Sequence, residues 1–299
     1  MLSNIKNWLG KKFRKMTALQ VVVFTIVFFL FVFYAFSILS TLWFALGTSL
    51  KSYDYYQYVD RVNFPSLDKL SFEAYTYALN WNAPGTKVNV VMMLINSIWY
   101  AFGGTFISMA CSTCMAYVVS KYKFPLRKLL YTVAIVTMTL PIMGTLAASY
   151  KLIVQTLRIS NSPLILLTFT NGFGMSFVIL YGFFANVSWS YAEAGLIDGA
   201  GDFTIFFRIM LPQAMPAITS LFVISFIGVW NDYQGPYLYM PKMPTLAVGV
   251  YFLQQAFESG PDLTYLCAAL IMVVIPVIII FLIFQETIMS NTVAGGLKG

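Results

Sequence analysis

The feature that most constrains this chain is a set of long apolar stretches with no Asp, Glu, Lys or Arg in their interior. They lie at about residues 19–47, 90–120, 129–150, 163–189, 216–231 with its continuation, and 264–285. A bilayer crossing takes about 20 such residues as a helix, because a backbone in hydrocarbon must satisfy its own polar groups. Strands of a membrane barrel would alternate polar and apolar residues over roughly ten positions, and these runs do not alternate. The pattern predicts an all-α, polytopic membrane protein with six transmembrane helices. Composition agrees, since 59% of the 299 residues are hydrophobic and 10% are charged, against roughly 25% charged in soluble domains. The first run is too long for the roughly 7–15 apolar residues of a signal-peptide core and is expected to stay as an anchor. The chain then divides into a cytoplasmic N-terminal segment 1–18, a six-helix membrane domain 19–285 and a cytoplasmic tail 286–299. Within the membrane domain fall an outer loop at about 49–89 and a cytoplasmic loop at about 188–215. Pro141, late in the third run, and Pro276, inside the sixth, each remove a backbone donor and are expected to kink their helices.

Six crossings put both termini on one side, and basic residues say which side is cytoplasmic. With the N-terminus inside, the inner segments hold eleven Lys and Arg, among them Lys6, Lys11, Lys12, Arg14, Lys15, Lys121, Lys123, Arg127 and Lys128, against four acids, a net of +7. The outer segments hold seven bases and seven acids. The whole formal charge of +7 is thereby accounted for by topology, with no nucleic-acid partner required.

Several chemistries fall away. Histidine is absent, which removes the commonest general base and metal ligand. Cys111 and Cys114 have C-x-x-C spacing but sit in an apolar run without the second ligand pair a zinc site needs, so they read as small residues of a buried helix. Ion-driven transporters place ionisable groups at membrane depth; here Asp232, toward the outer end of the fifth run, is the nearest case. A neutral solute and an external energy source fit better than proton coupling, and no set of residues suits an intramembrane enzyme.

The most informative stretch joins the fourth and fifth runs, from Ser188 to Pro212. Ser190 and Glu193 have the S-x-x-E spacing of a capping box, which predicts a helix start. Gly199 and Gly201 interrupt that helix, and Asp202 is placed to cap a second short one ending before Pro212. The expected product is a helix-turn-helix along the cytoplasmic face, with Ala194, Gly195 and Ala200 on its exposed side, shaped to enter a groove of another protein. On the plainer alternative it is a capped surface helix in which Glu193 does no more than close the cap.

Here the sequence resembles a family. Glu193-Ala194-Gly195, then Gly199, then Ile209-Met210-Leu211-Pro212 are similar to the EAA motif of permease subunits of binding-protein-dependent ABC importers, with Gly195 standing where the motif has its second alanine. Asn96-Ser97, Tyr122-Lys-Phe-Pro-Leu-Arg-Lys128, Trp230-Asn231-Asp232 and the terminal Gly295-Gly-Leu-Lys-Gly299 resemble carbohydrate importers of the maltose type, in particular their smaller, MalG-like permease. The resemblance implies a MetI-like type I ABC importer permease fold in the cytoplasmic (inner) membrane of a bacterium or archaeon. It also implies a transport subunit that is not itself an enzyme and that moves a sugar or oligosaccharide. Its implied partners are a homologous second permease, two cytoplasmic ATPases and an extracytoplasmic solute-binding protein. No cofactor is expected in this chain; ATP and Mg would be bound by the ATPase subunits, in keeping with the lack of a G-x-x-x-x-G-K-[ST] loop. The ATPase-coupling loop would comprise Glu193, Ala194, Gly195, Asp198, Gly199, Ala200, Ile209, Leu211 and Pro212, with Glu193 as polar anchor and Gly199 as the turn.

Asn96, Trp230, Asn231 and Asp232 are candidates for lining the translocation path, although each could equally pin a helix. The outer loop carries Tyr53, Tyr55, Tyr56, Tyr58, Phe64, Phe72, Tyr75, Tyr77 and Trp81, which suit a membrane interface or docking surface and, alternatively, sugar contact. Two other function classes remain: a permease for a non-sugar solute, and a secondary transporter, for which six helices would have to dimerise to enclose a path.

Overall fold

The computed structural model describes residues 17–139, 144–257 and 263–296. Their regular structure is helical, and one isolated bridge pairs Asn82 with Asn89. Four helices are long and apolar enough to cross a membrane: Leu19–Ser49, Val90–Lys121, Asp202–Trp230 and Leu263–Glu286. The chain packs as two units, Met1–Tyr75 with Asp262–Ile271 and Thr76–Pro261 with Met272–Gly299.

In the first unit, α1 (Ala18–Ser49) is opened by a capping box, in which Thr17 N donates to Gln20 Oε1 and Gln20 N to Thr17 Oγ1. Its Phe28, Phe29, Phe31 and Phe33 are all exposed. A helix apolar on every side and uncovered by protein belongs in lipid, and its 31-residue span reaches about 46 Å at 1.5 Å per residue, enough to cross hydrocarbon about 30 Å thick with tilt. Beyond it come α2 (Tyr53–Tyr58) and α3 (Glu73–Asn80). Ser49 Oγ pairs with the Tyr75 hydroxyl at 2.8 Å, and Trp43 stacks on Phe64 with centroids 4.6 Å apart. Lys51 is fully covered, donates to the Asp60 carbonyl at 2.9 Å and stands 5.9 Å from the rings of Tyr55 and Tyr56. Burial pushes its ammonium below the ordinary lysine range, and the Asp60 charge pulls it partly back. Part of the aromatic cluster thus solvates the loop's own cations, while Tyr58 and Phe72 stay exposed.

The second unit is built around α4 (Val90–Lys121), which packs against α7 (Met175–Asn186), α10 (Leu211–Trp230), α12 (Leu246–Phe257) and a 3₁₀ turn at Pro163–Phe169. Small residues on α4 permit the close approach that membrane helices rely on; a Cβ on Gly104 would lie 2.9 Å from the Phe169 ring. Cys111 and Cys114 are free thiols on this helix, and the described residues contain no cluster able to hold a metal. Between α4 and α7 come α5 (Arg127–Thr139) and α6 (Thr145–Tyr150); α8 (Ser190–Ile197) and α9 (Asp202–Ile205) precede α10. After α10 follow α11 (Gln234–Tyr239), α12 and α13 (Leu263–Gly296), which continues through Pro276.

Three expected spans differ from the sequence reading. The run at 129–150 is two helices, α5 and α6, with Gly144 at φ +82 opening the second and a π turn at Lys151–Thr156 extending it; Pro141 lies outside the described residues. The run at 163–189 is the 3₁₀ turn and then α7, separated by residues 170–174. The fifth span starts at Asp202 and not at Pro216. Pro212 does not end a separate short helix. A π turn at Phe206–Met210 feeds directly into α10, and Pro212 falls in the first turn of that segment, where a missing N–H and fixed φ cost little.

Candidate coupling site

Three features of the chain shape the loop from Ser188 to Pro212. The first is its start. Trp189 is the N-cap of α8 and makes no side-chain cap bond, so Ser190 is already helical and the expected capping box with Glu193 does not form. Ser188 takes the local role, its hydroxyl accepting from Ser190 N at 3.3 Å and pairing with Ser190 Oγ at 2.7 Å. Glu193 is exposed and free of cap duty.

The second is the turn. Gly199 N donates to the Leu196 carbonyl at 3.0 Å and Ala200 N to the Gly195 carbonyl at 2.9 Å, with Gly199 at φ +79. This pair of bonds is a Schellman motif, which satisfies the last carbonyls of a helix and needs a residue that accepts the left-handed region. Asp198 is the exposed C-cap. Gly201, not Asp202, is the N-cap of α9. The Asp202 carboxylate is turned instead toward α4's end, where the Tyr122 hydroxyl donates to Oδ1 at 3.0 Å. Burial, first of all, and the neighbouring Tyr117 hydroxyl and Asp202 carboxylate push that hydroxyl well above its ordinary range, so it stays a donor.

The third is the packing. Ala194 is exposed and Ala200 half-buried, but Gly195 is buried, which corrects its expected place on the outer side. A Cβ there would lie 2.8 Å from Ile209 Cδ1 and 3.3 Å from Ile205 Cγ1, so the missing side chain lets α8 lie against the segment entering α10. Ala192, Ile205, Phe206 and Met210 join one continuous core with Tyr117 of α4 and Phe177, Leu180 and Phe184 of α7. Lys121 donates to the Val187 carbonyl, and Trp189 meets the Tyr122 ring edge-on with centroids 6.1 Å apart. Ile209 and Leu211 are half-buried, and Pro212 is exposed.

The loop therefore has a buried side welded to three membrane helices and an open side. On the open side Glu193 and Asp198 stand beside exposed apolar residues, with Ile197 87% and Phe203 82% accessible. Tyr122, Ile197 and Phe203 were not among the residues assigned to the coupling loop from sequence; the signal for the last two was a large apolar side chain on either side of the short stretch Asp198-Gly-Ala-Gly-Asp202.

The four residues proposed for the path are each held within the chain. Asn96 is buried, donates from Nδ2 to the Pro244 carbonyl at 3.0 Å and accepts from Trp99 Nε1 at 3.4 Å. Trp230 is buried and donates from Nε1 to the Val273 carbonyl at 3.2 Å. Asn231 is exposed and donates to Ile227 of its own helix at 2.9 Å. Asp232 accepts from Gly235 N at 3.1 Å and from the Tyr100 hydroxyl at 3.3 Å, an arrangement that a Cβ on Gly235, 2.6 Å from Oδ2, would disturb. These bonds tie α4 to the chain before α12, the end of α10 to α4 and α11, and α10 to α13.

An all-α membrane chain with a helix-turn-helix fused into one of its spans is the architecture of an importer permease. The chain belongs to the family of binding-protein-dependent transport system inner membrane components, which it matches over residues 104–290, and it is an integral, multi-pass inner-membrane protein. It is 28% identical over 234 residues to the diacetylchitobiose uptake system permease protein NgcG of Streptomyces coelicolor, covering 76% of this chain and 74% of that one. It is 26% identical over 233 residues to the arabinooligosaccharides transport system permease protein AraQ of Bacillus subtilis, covering 77% and 80%. A bacterial ABC transporter involved in the import of the acidic polysaccharide alginate has a chain of the same fold, with a TM-score of 0.74, 20% identity, and 91% of this chain and 98% of that one covered.

Proposed function

We propose that this chain carries a sugar or oligosaccharide inward as one half of a paired permease, driven by ATPases that grip the loop at 188–215. The observation that carries the reading is the two-sided loop: Ile197, Phe203 and Glu193 open to a partner, and Ala192, Ile205 and Met210 packed into the core of α4 and α7. A partner that moves the open side must move the spans with it, since a close-packed core transmits displacement. ATP and Mg would be held by the ATPase subunits, and an extracytoplasmic binding protein would deliver the cargo. The sugar class is supported by relatives named for diacetylchitobiose and arabinooligosaccharides.

The reading is tested by purifying the solute-binding protein encoded beside this chain and titrating it with diacetylchitobiose, arabinotriose and raffinose by calorimetry. Micromolar binding of a saccharide, together with uptake of the same saccharide by the reconstituted complex, is expected. Binding of amino acids or inorganic ions alone would make this a permease for a non-sugar solute.

A further inference from the structure

A cavity of about 560 Å³ lies between the α6–π segment, α11 and α12, lined by Tyr150, Lys151, Gln155, Tyr233, Tyr237 and Tyr251 among others. In the orientation set by the charge split, these residues follow the third span or the fifth and lie at the outer ends of the helices. We propose that this cavity is a saccharide-holding subsite of the permease, which takes a sugar ring as the binding protein releases it; the proposal rests on the sugar reading above.

The chemistry of the walls is that of a carbohydrate site. Aromatic faces supply rigid apolar area with a polar tip, and an ammonium and a carboxamide beside them can bond hydroxyl groups. Lipid would find Lys151 and Gln155 costly neighbours. The volume falls within the roughly 300–1,000 Å³ of small-ligand sites. The site is also preorganised. Tyr251 stacks on Tyr233 with centroids 4.8 Å apart and an interplanar angle of 20°, meets Tyr237 edge-on at 5.4 Å, and accepts from Gln255 Nε2 at 2.7 Å. Lys151 and Gln155 stand on the π turn, an irregularity that re-aims side chains and recurs at functional sites. Ser160 Oγ donates to the Tyr239 carbonyl at 2.8 Å and Lys242 N to Asn161 Oδ1 at 2.7 Å, so the chain leaving the π turn is stitched to the chain leaving α11 and the two walls are fixed to each other.

A subsite of this kind holds cargo that would otherwise leave with the opened binding protein, so its loss lowers sugar moved per ATP spent. The test uses the complete transporter with its binding protein in proteoliposomes, reading uptake of tritiated diacetylchitobiose, arabinotriose or raffinose and ATP hydrolysis in the same vesicles. Tyr237→Ala and Gln155→Ala should each cut sugar per ATP about tenfold, the scale of one lost ring or hydrogen-bonding contact, with stimulated hydrolysis unchanged. Tyr237→Phe, which keeps the ring, should restore most of the ratio. Gln155→Cys, with the native cysteines replaced, should react with an impermeant maleimide in the assembled transporter and be protected by the transported sugar. An unchanged ratio in both alanine variants, or a thiol at position 155 shielded with and without sugar because a partner chain fills the cavity, overturns the subsite. Failure of the wild-type complex to transport any of the three saccharides overturns the sugar reading itself.

Discussion

At the scale of single residues, the coupling loop separates roles that its sequence runs together. Glu193 sits at the right spacing for a capping box, yet the helix begins one residue earlier than the motif assumes, and Ser190 is inside it. Glu193→Gln should therefore leave the stability of the purified complex unchanged. Glu193→Lys places a cation where the partner groove would expect an acid, an unpaired or like-charge contact costing several kcal/mol; uptake and binding-protein-stimulated ATPase should fall together, and the ATPase subunits should co-purify poorly. Full ATPase retention with normal uptake would remove the coupling role from this residue. Gly195 makes the complementary case. Gly195→Ala gains about 1 kcal/mol of helix propensity but brings a methyl to 2.8 Å from Ile209 Cδ1 and 3.3 Å from Ile205 Cγ1, so gain and crowding offset and the melting temperature should change little. Gly195→Leu overpacks the joint at about 1–3 kcal/mol and should lower both melting temperature and uptake. The S-x-x-E spacing was legible but misleading, since spacing alone does not fix where the backbone enters the helix, and here Ser188 rather than Ser190 makes the side-chain bond at that turn.

At the scale of elements, hydropathy located the helices that are continuous and blurred those that are not. A window over residues 129–150 averages across the left-handed Gly144 that opens a second helix, and a window over 163–189 averages across the break at 170–174. The outer segment shows an element whose order comes from polar bonds and not from burial. Asp60 accepts from the backbone of Asn63 at 3.0 Å and of Val62 at 2.9 Å, and from Asn63 Nδ2 at 3.0 Å. Those bonds, the Asn63 backbone bond foremost, hold its carboxyl down at about 2. A carboxyl depressed in the folded state stabilises above its ordinary value of about 4 and loses that contribution as pH falls toward the folded value. Amide exchange at Val62 and Asn63, corrected for intrinsic rates, should thus stay slow at pH 5 and quicken between about pH 4 and 2. Asp60→Asn should show no such step; an identical acid step in that variant would place the transition elsewhere.

At the scale of the whole molecule, orientation is a prediction that charge alone makes, whereas the tyrosine-lined cavity has no signal in the sequence, because its walls come from segments about a hundred residues apart that only the fold brings together. Orientation also fixes what every surface can meet: the loop at 188–215 faces ATPases only if the N-terminus is inside. With eleven basic residues against four acids on the inner segments and seven against seven outside, reversing the chain would translocate the basic excess that the membrane's sidedness opposes. In a background without Cys111, Cys114 and Cys267, Ser3→Cys and Thr292→Cys should resist an impermeant maleimide in intact cells and react after permeabilisation. Gln57→Cys, on the exposed outer segment, should react in both. Labelling of position 292 alone from outside would mean an odd number of crossings. That outcome would count one of the two broken segments, α5–α6 or the 3₁₀ turn with α7, as a surface element. Labelling of positions 3 and 292 together would invert the molecule and put the loop at 188–215 on the side where no ATP is found.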